Sequence, residues 1–279
     1  MSPSGDEVEF KLLLEAVHMK YGYDFRGYAQ ASMERRMRSV LSKFGIRDFL
    51  ELTHRLLREP EFFRLILPHL TVTTTEMFRD PQFFQVLRDR VLPVLKTYAA
   101  LNIWVAGCSH GQEAYSLAIL LHEEDLLDRS VIFATDINPQ ALKGAREGIF
   151  PADAVQIYTK NYQQSGGLRS FQEYYVADYG YARMASHLKD NMVFSEHNLS
   201  VDNSFTEAHL ILCRNVLIYF DKNLQGRALR VFADSLRYRG FLGLGSKENL
   251  KFSDVADRFD VFDAKQKIYQ KRGGQREVV

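Results

Sequence analysis

The sequence predicts an α/β fold built on a mostly parallel, doubly wound sheet of about seven strands. Three stretches carry that expectation. Residues 101–119, LNIWVAGCSHGQEAYSLAI, open with a short apolar run, pass through Gly107, Ser109 and Gly111, and continue with helical spacing at Ala114, Leu117, Ala118 and Leu121. That order reads as strand, glycine turn, helix. Residues 131–135 form a second apolar run ending on Asp136, and Asn138-Pro139 then opens a helix. Residues 259–263 and 266–272 lie too close in sequence for a crossover helix, so they are expected to pair antiparallel.

Composition sets the outer bounds. A chain of 279 residues, 46% hydrophobic and 25% charged, can bury a core in one large or two modest domains. No run of eighteen apolar residues is present, and residues 1–8 are polar and acidic, so neither a membrane span nor a signal peptide is expected. A cytoplasmic location follows. Cys108 and Cys213 lack the His or Cys spacing of a zinc site, so no metal is expected and both read as small buried hydrophobes. A net charge of +1 gives no argument for nucleic acid.

Residues 1–70 read as a small helical domain. Phe10, Leu13, Leu14 and Val17 recur at helical spacing up to Tyr21-Gly22, and Met33, Met37, Val40 and Leu41 mark a second helix that stops at Gly45. Asp48 caps a third, Pro60 breaks it, and a fourth over 62–67 is closed by Pro68. Between residues 11 and 70 eleven Lys and Arg face seven Asp and Glu, and Arg35, Arg36 and Arg38 cluster in MERRMRSV. That run fits either a solvated helix face or a docking surface for an acidic partner; arginine favours carboxylate pairing. Residues 71–90 are a linker and the helix it leads into. There Asp80-Pro81 reads as a helix cap, packing does not explain Arg79, and the hydroxyls of Thr73 and Thr75 have no evident local task.

Residues 91–279 carry the sheet. Missing Cβ atoms at Gly107 and Gly111 admit a ligand to the backbone at a helix N-terminus, although a plain turn without ligand has the same sequence. The dinucleotide fingerprint G-x-G-x-x-G is not met, which disfavours a nicotinamide cofactor. Asp136, at the tip of the second strand, suits the two hydroxyls of a ribose; because Asn138 can cap the next helix unaided, Asp136 is left for that task. Beyond a helix ending at Gly148 and a short one over 153–161, five aromatics in 171–184 suggest a hairpin turning near Asp178, Tyr179 and Gly180. Strands over 192–195 and 209–213 are each followed by a polar cluster, a helix spans 222–239, and a strand spans 241–245.

With these motifs in order, the chain resembles the CheR-type chemotaxis receptor methyltransferases, which esterify receptor glutamates using S-adenosylmethionine. The resemblance rests on the arginine cluster, TVTTTEMFRDP, AGCSHGQEAYSLAI, ATDINPQAL, Asn198-Leu199 and, most specifically, CRNVLIYFD. It implies a helical N-terminal domain joined to a Rossmann-like methyltransferase domain with an inserted antiparallel β subdomain at about 168–191. It further implies that Thr73, Thr75 and Arg79 meet the methionyl end of the cofactor, with Gly107 and Glu113 at the glycine turn and Asp136 on the ribose. Asn198 and Leu199 would lie near the adenine, Asn215 and Val216 would contact the cofactor, and Tyr219 would face the methyl group. Arg35, Arg36 and Arg38 would read the acidic helical methylation region of a receptor, the enzyme acting as a monomer without membrane insertion.

The chain departs from the family at Thr73, where Asn is common, and at 109–114, where SHGQEA replaces S-T-G-E-E-P. Thr73 reaches less far than Asn, and Gln112 removes a carboxylate that would attract a sulfonium. The connection at 177–180 is also shorter than the glycine-containing loop of members that tether to a receptor pentapeptide, so action without a tether is expected. Two other readings remain at this level: a non-catalytic S-adenosylmethionine-binding regulator, and a methyltransferase for another acceptor.

Overall fold

The computed structural model describes residues 4–251 and 253–273, which divide into two compact units. The first contains residues up to 72 together with 198–203 and 217–228. Its N-terminal part has four helices, α1 (Gly5–Tyr21), α2 (Gln30–Phe44), α3 (Phe49–Arg58) and α4 (Pro60–Leu70), and residues 222–228 add the start of a later helix. The expected stops hold, since Gly22 and Gly45 end α1 and α2 in the left-handed region at φ 75° and 63°. Asp48 caps α3 by accepting the Glu51 N–H at 2.8 Å.

Pro68 does not close α4, which runs on to Leu70. Proline removes only its own N–H, and the burial of Leu67 and Leu70 keeps the last turn wound. Ahead of α2, residues 27–29 pair with 219–221. The Ala29 N–H donates to the Tyr219 carbonyl and the Asp221 N–H to the Gly27 carbonyl, both at 2.8 Å, around a Tyr28–Phe220 bridge.

The second unit opens with α5 (Pro81–Val86), a π-helical turn at Leu87–Val91 and α6 (Leu92–Leu95). Then follow β1 (Leu101–Ala106), α7 (Gln112–Glu123), β2 (Ser130–Asp136), α8 (Pro139–Glu147), β3 (Ile149–Pro151) and α9 (Val155–Gln164). A hairpin of β4 (Tyr175–Asp178) and β5 (Tyr181–Met184) precedes β6 (Met192–Glu196) and β7 (Ala208–Cys213). Helix α10 (Lys222–Ser235) leads to β8 (Leu236–Leu244), and β9 (Phe259–Asp263) and β10 (Ile268–Lys271) finish the chain.

The main sheet has seven strands in the order β6-β2-β1-β7-β8-β10-β9. All neighbours from β6 to β8 are parallel, and β10 runs antiparallel to both β8 and β9. The carboxyl ends of β1, β2 and β7 therefore share one edge, with Ala106 in register with Thr135 and Val105 with Leu212. Every residue of β7 is buried, as a central parallel strand requires. Trp104 in β1 is also fully buried, its indole N–H donating to Thr135 Oγ1 at 2.8 Å.

Three further elements differ from the sequence expectation. Helix α10 stops at Ser235 because Leu236 already pairs with Ala208, and the strand keeps going past a register shift where Arg239 adopts φ 64°. Residues 171–174 form a 3₁₀ turn, so only 175–184 is hairpin. Its two-residue loop, Tyr179-Gly180, has positive φ at both positions. Strand β3, which contains Pro151 and spans three residues, went unforeseen; it joins β5 and β4 in a separate antiparallel sheet.

Asn138 caps α8 through the N–H groups of Gln140 and Ala141 at 2.9 and 3.2 Å. Asn138→Ala is expected to lower unfolding free energy by about 1 kcal/mol in urea titration. No loss would mean that the cap is dispensable.

Candidate functional site

The glycine turn between β1 and α7 is wound through the left-handed region, with φ of 73° at Gly107, 52° at Ser109 and 91° at Gly111. The Gly107 and Cys108 N–H groups both donate to the Thr135 carbonyl, at 2.8 and 2.9 Å, so the turn hangs from β2. Ser109 then links two expected site residues. Its N–H donates to Asp136 Oδ2 at 2.8 Å, and its hydroxyl donates to the Thr73 carbonyl at 3.0 Å. Gly107 must be glycine here, because a Cβ would stand 2.4 Å from Val216 Cγ2. No side chain caps the first turn of α7, which leaves its N–H groups to a ligand or to water.

Asp136 is half-buried, and Asn138 N–H meets its other oxygen at 2.9 Å. Burial raises its pKa above the ordinary carboxylate value, opposed by the Asn138 and Ser109 N–H groups. The Ile137 N–H also donates to this carboxylate.

Asp80 does not cap α5 as expected. It sits at φ 57° with no side-chain cap, and its carboxylate instead accepts from Arg214 Nη2 at 2.6 Å. Arg214 is the residue that organises this region. Its side chain is 1% exposed, donates from Nη1 to Glu113 at 2.8 Å and from Nη2 to the Arg79 carbonyl at 3.1 Å, and lies 4.1 Å over the Phe83 ring. Sequence reasoning gave it no role. The available signal was an arginine directly after the apolar run LILC, where a charge can be buried only with partners.

Glu113 is correspondingly committed to Arg214. Burial raises its pKa, the Arg214 charge opposes this, and Glu248 adds to the rise while Arg79 subtracts from it. The Arg79 guanidinium itself makes no ion pair or hydrogen bond among the described residues, and Thr75 makes no side-chain hydrogen bond among them. Gln112 is buried, so a glutamate in its place would bury a charge beside α7. Asn215 adopts φ 61°, and the N–H groups of Asn215 and Val216 both donate to the Glu248 carboxylate.

One unit thus brings together Thr73, Arg79, Gly107, Glu113, Asp136, Asn215 and Val216. Asn198, Leu199, Tyr219 and the arginine cluster belong to the helical unit. Asn198 Oδ1 holds the Ser200 N–H at 3.0 Å, and Leu199 is buried. Arg36 is drawn inward: it donates to the Leu70 carbonyl at 2.7 Å and Ser32 Oγ at 3.0 Å, and lies 5.0 Å over the Tyr219 ring. Arg38 pairs with Glu34 at 2.8 Å and Asp6 at 3.1 Å. Arg35 is exposed and makes no ion pair among the described residues.

Both cysteines are free and buried, with pKa values pushed up by burial. Among the described residues no cluster of His, Cys, Asp or Glu could hold a metal ion, and no helix is long and apolar enough to cross a membrane.

Residues 73–268 match the family model described as CheR methyltransferase, SAM binding domain, and residues 8–71 match the all-alpha domain of the same enzymes. The chain belongs to the CheR methyltransferase family. Cher3 of Pseudomonas putida is 47% identical over 97% of this chain and 99% of its own. Chemotaxis protein methyltransferase 2 of Pseudomonas aeruginosa is 34% identical over 78% of this chain and 76% of its own. A TehB-like SAM-dependent methyltransferase from Corynebacterium glutamicum is 16% identical, with a TM-score of 0.37 over 66% of this chain and 84% of that one.

S-adenosylmethionine is the cofactor of this CheR enzyme, and the residues fit it. The strand-tip carboxylate of Asp136 can take ribose hydroxyls, and the uncapped start of α7 and the glycine turn present backbone N–H groups. When bound, the cofactor supplies an electrophilic methyl group on a sulfonium. Glu113 and Asp136 both hold protons more readily in the folded chain than in the unfolded one, so their stabilising share is lost as pH rises through the folded values. Asp136→Asn is therefore expected to flatten the loss of unfolding free energy on going from acidic to neutral pH, read by urea titration. A slope equal to that of the wild type would contradict this.

Proposed function

We propose that this CheR-family methyltransferase transfers the methyl group of S-adenosylmethionine to glutamate side chains in the acidic helical methylation region of a chemoreceptor-like protein. It does so in the cytoplasm, as a monomer and without a pentapeptide tether. The observation that carries the reading is Arg79: Arg214, Glu113 and Asp80 neutralise one another, while the neighbouring guanidinium makes no ion pair or hydrogen bond among the described residues. An uncommitted arginine fork suits an incoming carboxylate.

The reaction is a displacement at the sulfonium methyl carbon. A glutamate is already an anion at neutral pH, so no general base is required. The chain's task is to align nucleophile and methyl at about 3 Å and to exclude water, and orientation of this kind supplies several kcal/mol. Arg79 holds the acceptor carboxylate in plane. Asp136 takes the ribose, Glu113 borders the cofactor at the start of α7 while paired with Arg214, and Thr73 and Thr75 offer hydroxyls to the methionyl end. Asn215 and Val216 line the cofactor, and Asn198 with Leu199 serves the adenine. Tyr219 takes the methyl-facing position that the CRNVLIYFD motif assigns to it.

For the receptor, Arg35 is exposed without an ion pair among the described residues and so is left for an acidic helix, while Arg38, also exposed, is paired with Glu34 and Asp6 and Arg36 is turned inward. The tight Tyr179-Gly180 loop supports the absence of a tether, because it offers no extended segment.

The test is incubation with labelled S-adenosylmethionine and receptor cytoplasmic fragments, followed by assay for base-labile methyl ester. Arg79→Ala is expected to lower turnover roughly 100-fold while S-adenosylhomocysteine affinity changes only a few-fold. Equal losses in both would assign Arg79 to cofactor binding instead.

A further inference from the structure

The strand ends that carry the cofactor residues are joined by an acid to which sequence reasoning gave no role. Glu248 is 4% exposed and lies in the segment after β8. Its Oε2 accepts the Gly245 N–H at 2.6 Å and the Asn215 N–H at 3.1 Å, while Oε1 accepts the Val216 N–H at 2.9 Å. Gly245 directly follows β8 and Asn215 follows β7 by two residues, with Cys213 and Leu244 in register. One carboxylate therefore ties the carboxyl ends of two adjacent strands.

The consequence reaches the glycine turn. Fixing the N–H groups of Asn215 and Val216 holds Asn215 at φ 61° and sets the direction of Val216, whose Cγ2 occupies the space that a Cβ on Gly107 would need. Gly245 is confined in the same way, since a Cβ there would meet Glu248 Oε2 at 2.7 Å and Asn215 N at 2.8 Å. We infer that Glu248 is a positioning residue for the cofactor, setting the distance between the β7 turn and the β1 turn. The inference rests on the proposal that Asn215 and Val216 contact S-adenosylmethionine.

The carboxylate, and not merely a side chain of that size, is needed. Glutamine replaces one acceptor oxygen with an NH₂ group, and either amide orientation turns that NH₂ toward at least one backbone N–H. Glu248→Gln is thus expected to weaken S-adenosylhomocysteine binding by roughly tenfold or more. KM for S-adenosylmethionine should rise in step, while kcat at saturating cofactor stays within a few-fold. Dissociation constants are measured by calorimetry well below each variant's melting temperature, so that a purely structural role would not move them.

Gly245→Ala disturbs the same cluster and is expected to show the same split; it carries the test if Glu248→Gln does not fold. Wild-type affinity in Glu248→Gln, or in Gly245→Ala where the glutamine variant fails to fold, overturns the positioning role while a loss in Asn215→Ala leaves the contact reading standing. Unchanged affinity in both Asn215→Ala and Val216→Gly overturns the contact reading itself, and the inference with it.

Discussion

The buried guanidinium of Arg214 is the constraint on which the methyltransferase unit depends. A charge that is 1% exposed is tolerable only with partners, and here Glu113, Asp80 and the Arg79 carbonyl engage its two Nη groups while Phe83 covers its face. These partners come from the start of α7 and from the segment before α5, so one side chain ties the end of β7 to two stretches distant in sequence. Arg79 is held by its backbone in this arrangement, which leaves its side chain uncommitted.

The same edge shows why a parallel sheet suits this chemistry. Strands β1, β2 and β7 deliver the glycine turn, Asp136 and Asn215-Val216 to one rim, and cross-links between neighbouring strand ends keep them in register. Ser109 bridges β1 to β2, and Glu248 bridges β7 to β8. Raised carboxyl pKa values at Glu113 and Asp136 record the cost of collecting negative groups out of water.

What the sequence revealed follows from range. The glycine turn, Asp136 and the Asn138 cap are local, each signalled within a few residues, and the structure has them where the spacing put them. The pairing of Asp80 with Arg214 spans 134 positions, so a residue that looks like a helix cap was read as one. Strand β3 is only three residues long, and α10 ends where strand pairing at Leu236 overrides a helical pattern that continues in sequence. In α2 the clustering of arginines was visible, but their partners were not. Leu70 O lies 34 positions from Arg36, and Asp6 lies 32 from Arg38.

Arg214 and Glu113 are proposed to act as one unit in holding the cofactor rim. A double-mutant cycle on Arg214→Met and Glu113→Gln, read as the dissociation constant of S-adenosylhomocysteine, addresses it directly. The account predicts strong coupling, with the double variant binding about as well as the weaker single variant and the two losses far from multiplying. Losses that simply multiply would show that the two side chains act independently, and the account would then fail.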